Sequence, residues 1–225
     1  MSFFLTLLWF LASLVAGHVT VQKNADEFLL RADQDGVLEA CGVTSAVFDE
    51  YLNMDQAKFD SQPGQGWRAV AAQDGCRLAA QILIEQYILF SPKLRTEKIV
   101  SLRWHAGQLA AFDGRLEPAL LFMKASYKEA GPYYEEWNIY VSATIAFLER
   151  DRSTLDLWLS ELTSRSPSPE QVAASRQAFE KDPKLQEVFP DWERDILKAP
   201  NTKVVQRLVD CYARPYVEAY SGCQE

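Results

Sequence analysis

Residues 96–127, TEKIVSLRWHAGQLAAFDGRLEPALLFMKASY, decide the fold class. Ile99, Leu102, Ala106 and Leu109 recur at helical spacing, and so do Val100, Trp104, Gly107 and Ala111. Two adjoining apolar stripes predict a helix packed on more than one side. Asp113-Gly114 ends it, because glycine enters the left-handed region without a Cβ penalty. Leu116, Ala119, Leu120, Met123 and Tyr127 then define one face of a second helix.

The pattern returns downstream. Gly131-Pro132 closes the second helix and opens a third, with Gly as stop and Pro in a first turn. Tyr133, Trp137, Tyr140, Val141, Thr144 and Leu148 line one face of it. Arg150-Asp151-Arg152 makes the next turn. Leu155, Trp158, Leu159 and Leu162 line a fourth helix, which Ser164 to Ser168 terminate. The period is about 35 residues, within the range of stacked helical repeats. Upstream, GWRAVAAQDGCRLAAQILIEQY (66–87) superimposes on the first hairpin with a shift of 39 residues. Ala71 and Ala72 then fall on Ala110 and Ala111, Asp74-Gly75 on Asp113-Gly114, and Ala80 on Ala119. Trp67, Trp104 and Trp137 each head one unit. About three hairpins are near the minimum that buries its own core.

The segment WHAGQLAAFDGRLEPALLFMKASY (104–127) resembles a tetratricopeptide repeat. Gly107 matches the small residue of that repeat's first helix, Gly114 its turn, and Leu116 the large residue after it. Ala119 matches the small residue of the second helix. Small residues there let helix backbones approach closely. Ala125 and Pro132 fall outside the later positions of the pattern. The unit from Trp137 keeps Ala143 and Leu155 but lacks the turn glycine. The resemblance covers roughly a third of the chain. It implies an all-α array of antiparallel helical hairpins over about 66–163, within a single domain (18–225) closed by N- and C-terminal capping helices. It also implies a binding module for a protein or peptide, with the first helix of each hairpin lining the concave surface. Tyr134, Glu135, Trp137, Asn138 and Gln108 are the candidate binding residues. Tyr133, Trp137 and Tyr140 also fit the hairpin core, whereas Tyr134, Glu135, Asn138 and Gln108 are expected to face solvent.

Composition narrows the partners. The chain has 225 residues, 48% of them hydrophobic, enough for a sizeable core. A net charge of −8 argues against nucleic acid, because phosphate binding needs a basic surface. Residues 1–17, MSFFLTLLWFLASLVAG, carry no charged side chain, and Phe3 to Ala16 is an apolar-rich run of 14. That is short for a membrane span of about 20 residues, and suits the core of a signal peptide cleaved before His18, with an uncleaved anchor or a buried N-terminal helix as the alternatives. No Lys or Arg precedes the run. The expectation is export to the periplasm or the cell exterior, with no membrane contact after cleavage. The four cysteines agree with it, since an even count in an exported chain predicts disulfides. Three connectivities are possible; the sequence-local pairs Cys41–Cys76 and Cys211–Cys223 are favoured.

The flanks read as helical too. A short helix with Phe28 and Leu29 is expected within 18–35, and VTVQ (19–22) is the sole strand candidate. Val37, Leu38 and Cys41 make a brief turn of helix. Thr44 is placed to cap the helix carrying Val47, Phe48, Tyr51 and Leu52. SQPGQG (61–66) is the clearest loop. Ser168-Pro169-Glu170-Gln171 has the form of a capping box. Pro190 must split the segment from Leu185 to Ile196. Asn201 or Thr202 is expected to cap the last main helix, with Val205, Leu208, Val209 and Tyr212, and a disulfide would pin the aromatic tail beyond Pro215 onto it.

Chemistry has little to stand on. His18 and His105 are the two histidines, and His105 follows Trp104 in an apolar helix, where a packed residue outweighs a general base. The cysteines form no C-x-x-C pair, so no metal and no cofactor are expected. Asp49-Glu50 and Glu135-Glu136 are paired carboxylates, and a glycan-active enzyme using such a pair is the alternative reading. Neighbours on a helix point about 100° apart, however, and solvated surface charge explains them better. A structural assembly subunit is the third reading. The expected class is a non-enzymatic binding module.

Overall fold

The computed structural model describes residues 36–129 and 134–223. The proposed signal segment, the 18–35 helix with Phe28 and Leu29, the VTVQ segment, and Gly131, Pro132 and Tyr133 lie outside them. Among the described residues every regular element is helical. They divide into two compact units, the chain passing from one to the other between Ser126 and Tyr127.

The first unit contains α1 (Val37–Ala40), α2 (Ser45–Asn53), α3 (Gly66–Ala71), α4 (Arg77–Phe90), α5 (Ile99–Phe112) and α6 (Leu116–Lys124). Helix α3 pairs with α4, α4 with α5, and α5 with α6. Successive antiparallel pairings of this kind make a helical-hairpin array. Helix α5 has neighbours on two sides, which is why it carries two apolar stripes: Leu102, Trp104, Ala106, Leu109 and Ala110 are all buried. Gly75 and Gly114, 39 residues apart, both turn at positive φ (74° and 69°). Ala80 and Ala119, at the same separation, are both fully buried.

Helices α5 and α6 meet at their smallest residues. A Cβ built on Gly107 would lie 3.2 Å from the Ala119 carbonyl oxygen and 2.9 Å from Met123 Cγ. The expected inner face of α6 needs correction. Leu116 and Tyr127 are exposed, and the buried residues are Ala119, Phe122 and Met123. Helix α6 stops at Lys124, so Tyr127 lies beyond it. The contact with Gly107 rotates the Ala119–Met123 side inward. The disulfide Cys41–Cys76 ties the end of α1 to the start of α4. Thr44 does occupy the N-cap of α2, although its side chain makes no capping hydrogen bond.

Two polar side chains are sealed inside α4. Gln81 and Glu85 are both fully buried, one turn apart. The Gln81 amide donates to Glu85 Oε1 at 2.6 Å, while Gln81 Oε1 and Glu85 Oε2 accept no hydrogen bond. Burial pushes the Glu85 carboxyl up to about 8, against the opposing pull of the Gln81 hydrogen bond and the Arg115 charge.

The second unit contains α7 (Tyr134–Leu148), α8 (Arg152–Ser164), α9 (Pro169–Lys181), α10 (Pro183–Val188), α11 (Trp192–Asp195), α12 (Thr202–Asp210) and α13 (Tyr216–Ser221). Helices α7 and α8 form a hairpin, α12 packs on both, and α13 packs on α12. Tyr140 is buried among the α7 core residues Ile139, Val141, Thr144 and Phe147. Burial first, then the Tyr216 and Tyr220 phenols, pushes its hydroxyl well above the usual phenol range. Ser168 and Gln171 complete the capping box that opens α9. Pro190 falls in the break between α10 and α11, as its chemistry requires. The Cys211–Cys223 disulfide closes the tail back onto the end of α12. Asn201 sits at the N-cap of α12 with φ 66°, and its side chain makes no capping hydrogen bond; the Thr202 hydroxyl instead donates to the Ala199 carbonyl at 2.7 Å.

The turn between α7 and α8 shows how an arginine fills a glycine's place. After α5, Gly114 N–H donates to Ala111 O at 3.1 Å and Arg115 N–H to Ala110 O at 2.9 Å. After α7, Arg150 N–H donates to Phe147 O at 3.1 Å and Asp151 N–H to Ala146 O at 2.9 Å. The two turns share one hydrogen-bond pattern, which needs a left-handed residue after the helix. Arg150 supplies it at φ 61°, at a cost of roughly 1–2 kcal/mol that glycine would escape. Its guanidinium offsets the strain by donating to the carbonyls of Tyr212 (2.5 Å) and Arg214 (3.4 Å). Arg152 donates to Val209 O at 3.1 Å. Arg152 thus holds a carbonyl in the last turn of α12, where cations are favoured by the helix dipole, and Arg150 holds the turn that follows it.

Candidate functional site

Four of the five candidate binding residues, Tyr134, Glu135, Trp137 and Asn138, lie on α7 in the second unit. Gln108 belongs to the first unit and is buried, contrary to the expectation that it faces solvent. Its helix α5 is covered on two sides, so a polar residue there is drawn into the interior. Asn138 is half-buried and serves the backbone. Its amide donates to Lys128 O at 2.8 Å, and its Oδ1 accepts from Lys128 N–H at 2.9 Å. Trp137 carries the Lys128 ammonium 4.5 Å from its ring centre and meets Tyr140 edge-on. Burial holds the Lys128 ammonium below the usual lysine range. Tyr134 is exposed and donates its hydroxyl to Glu135 Oε1 at 3.0 Å.

Glu135 leads to a different site. Its other oxygen pairs closely with the Arg165 guanidinium, which also binds Glu161 at 3.1 Å and stands 4.0 Å from Glu136. The Arg165 and Tyr134 hydrogen bonds hold the Glu135 carboxyl below the usual glutamate range. A general acid for glycoside cleavage needs the opposite shift. Asp49 and Glu50 are exposed on α2, with no shared partner that would make them a dyad.

Arg165 lines a cleft of about 410 Å³ in the second unit. Thr163 and Ser166 flank it at the end of α8, Arg194 and Asp195 come from α11, and Lys198, Lys203 and Gln206 close the far side. Helix geometry explains the convergence. Pro190 ends α10 and lets the short α11 turn, and the loop Leu197–Asn201 brings Lys198 beside the first turn of α12. Four cations and a single carboxylate line the cleft, in a chain whose net charge is −8. Asp195 is shared loosely: Arg194 Nε at 3.7 Å and Lys198 Nζ at 4.0 Å on Oδ1, Lys203 Nζ at 3.7 Å on Oδ2. These exceed hydrogen-bond distance, and Asp195 Oδ1 accepts none.

A second cavity of about 220 Å³ adjoins the first, sharing Asp195 and Lys198. Its walls are apolar. Phe179 stacks on Trp192 with ring centres 5.1 Å apart, and Phe189 meets Phe179 edge-on at 6.1 Å. Phe189 is 51% exposed, and Leu197 on the cationic side is 58% exposed. Sequence reasoning passed over Arg165, Lys198, Lys203, Phe179 and Phe189. The cue was the density of charge and aromatics in FPDWERDILKAPNTK (189–203), which proline breaks hid from a search for periodicity.

His105 is half-buried against a second acid. Its Nδ1 lies 2.7 Å from Asp60 Oδ1, which also accepts from Trp67 Nε1 at 3.0 Å. Burial raises the Asp60 carboxyl, but the His105 hydrogen bond and charge, the Trp67 hydrogen bond and the Arg68 charge outweigh it and hold it below the usual range. The other His105 nitrogen faces Arg68 at 3.5 Å rather than a hydroxyl or thiol. A His–acid pair activates a nucleophile through that second nitrogen, so the arrangement fits a core strut joining the turn at Ala57–Ser61 to α3 and α5. Among the described residues no group of His, Cys, Asp and Glu could hold a metal ion, and no helix is long and apolar enough to cross a membrane. No protein-family model, curated protein or solved structure matches the chain.

Proposed function

We propose that the protein is an exported helical-hairpin binding module, tetratricopeptide-like in design, that holds a protein or peptide partner. The carrying observation is the paired cleft of the second unit: a cationic cavity joined to an aromatic one, both open beside exposed Leu197 and Phe189. Few convergent charged groups next to an apolar pocket are the usual make-up of a recognition site. Helical arrays offer surface rather than chemistry, and the close contact of Gly107 with α6 supports the repeat-like reading. The two disulfides, which use all four cysteines, support an oxidising compartment.

The experiment is in-cell crosslinking of the tagged full chain, with wild type and a Lys198→Glu/Lys203→Glu variant compared by mass spectrometry. The expected result is a discrete protein adduct in the wild type that the variant loses. An unchanged adduct pattern, or none in either, overturns the reading.

A further inference from the structure

The two cavities differ in chemistry and share a wall, so they select for a pair of neighbouring groups. In the cationic cavity Arg165 is committed to Glu135 and Glu161. Arg194 has Asp191 at 2.9 Å as its close partner. Lys198 and Lys203 have only the distant Asp195 carboxylate, at 4.0 and 3.7 Å, and both are about half exposed. Two ammonium groups thus share one acid, with neither in hydrogen-bond contact. A ligand carboxylate entering between them gains charge-assisted hydrogen bonds without displacing a formed pair. The aromatic cavity beyond Lys198 has Phe179, Phe189 and Trp192 as walls, with no charged side chain but the shared Asp195 and Lys198. Its 220 Å³ suits one large apolar side chain and is too small for a folded element.

We infer that the paired cleft binds an extended acidic peptide segment in which a carboxylate side chain sits beside an aromatic or large aliphatic one. The carboxylate rests between Lys198 and Lys203, and the apolar group fills the pocket of Phe179, Phe189 and Trp192. This rests on the binding-module reading and names its ligand. In a chain of net charge −8, four cations around one carboxylate single this cleft out for an acidic ligand.

The test is fluorescence polarisation with the oxidised full-length chain and three labelled probes. One carries glutamates flanking a phenylalanine, one replaces the phenylalanine by alanine, and one replaces the glutamates by glutamine. The first probe is expected to bind, the other two at least roughly tenfold more weakly. Lys203→Glu should cost a similar factor, Phe189→Ala should weaken the two phenylalanine-containing probes and leave the alanine probe unchanged, and raised salt should weaken the two acidic probes. Thermal melts of both variants should stay within a few degrees of the wild type, since the two side chains are about half exposed. Equal binding of the alanine probe would reduce the site to a simple anion trap and overturn the inference. So would binding of the first probe that survives Lys203→Glu, or no binding at all. If no probe binds while the in-cell adduct still depends on Lys198 and Lys203, the ligand class is wrong and the binding module stands; if both fail, both fall.

Discussion

Gly66→Ala is expected to lower the stability of the first unit by roughly 3–5 kcal/mol, combining left-handed strain with overpacking. Gly66 begins α3 at φ 52°, and a Cβ there would lie 2.0 Å from the Phe59 carbonyl oxygen and 2.6 Å from Phe59 Cα. Both obstacles are backbone, so no rotamer change relieves them. Phe59 cannot retreat either, being fully buried and stacked on Tyr87 at 3.9 Å. Asp60, the next residue, holds Trp67 and His105. Forcing the two segments of this junction apart therefore breaks an aromatic stack and a hydrogen-bonded strut together. The control is Gly64→Ala, where φ is 70° but nothing lies within 4 Å of the added Cβ. It carries the strain alone, about 1 kcal/mol. Thermal denaturation should show a drop on the order of 10 °C or more for Gly66→Ala and a few degrees for Gly64→Ala. Equal losses would mean that the close approach to Phe59 does not exist.

Raising the pH from about 4.5 to about 8 should progressively destabilise the protein through Glu85. The sign follows from linkage. The folded-state value, about 8, lies above the ordinary glutamate value of 4.5, so the unfolded chain releases this proton first. The stabilising effect is complete below the unfolded value, declines through the interval, and is gone once pH passes the folded value. At about 1.4 kcal/mol per unit, the span corresponds to several kcal/mol. The protonated acid fits the local geometry, because Gln81 Oε1 and Glu85 Oε2 are otherwise buried acceptors without a donor. Glu85→Gln keeps shape and burial while removing the proton, so its urea midpoint should lose this downward trend. A wild-type trend that persists in Glu85→Gln would assign it elsewhere. Asp60 acts in the other direction. Its lowered value gives stability that is present above the ordinary aspartate range and lost as pH falls through the folded value.

The hairpins were readable because their signals are local. Gly75 and Gly114 mark turns through backbone freedom, Gly107 and Ala119 mark a close approach through size, and the capping box at Ser168 is written in adjacent residues. The cysteine pairing followed from the same locality. Burial was harder to read, since it depends on which sides of a helix acquire neighbours. Gln108 is buried because α5 has neighbours on two sides, and Ala119 and Met123 turn inward because α6 meets α5 at Gly107. The turn at Arg150-Asp151-Arg152 was legible, but the left-handed arginine in it was not, because the carbonyls that hold its guanidinium lie more than 60 residues away, at Tyr212 and Arg214. The cleft escaped for a related reason: Arg165 follows the end of α8, Asp195 lies on α11 and Lys203 on α12, with proline-broken segments between them. Of the candidate surface on α7, Glu135 reaches the cleft through Arg165, while Asn138 turned out to brace Lys128.

The most direct measurement is site-specific photocrosslinking in the source cell, with a photoreactive residue placed in turn at Leu197, Leu157 and Phe90. All three side chains are well exposed, and only Leu197 lines the cleft. The account predicts a partner adduct of defined mass from Leu197 and none from the other two. No adduct from Leu197, or equal adducts from all three, would contradict it.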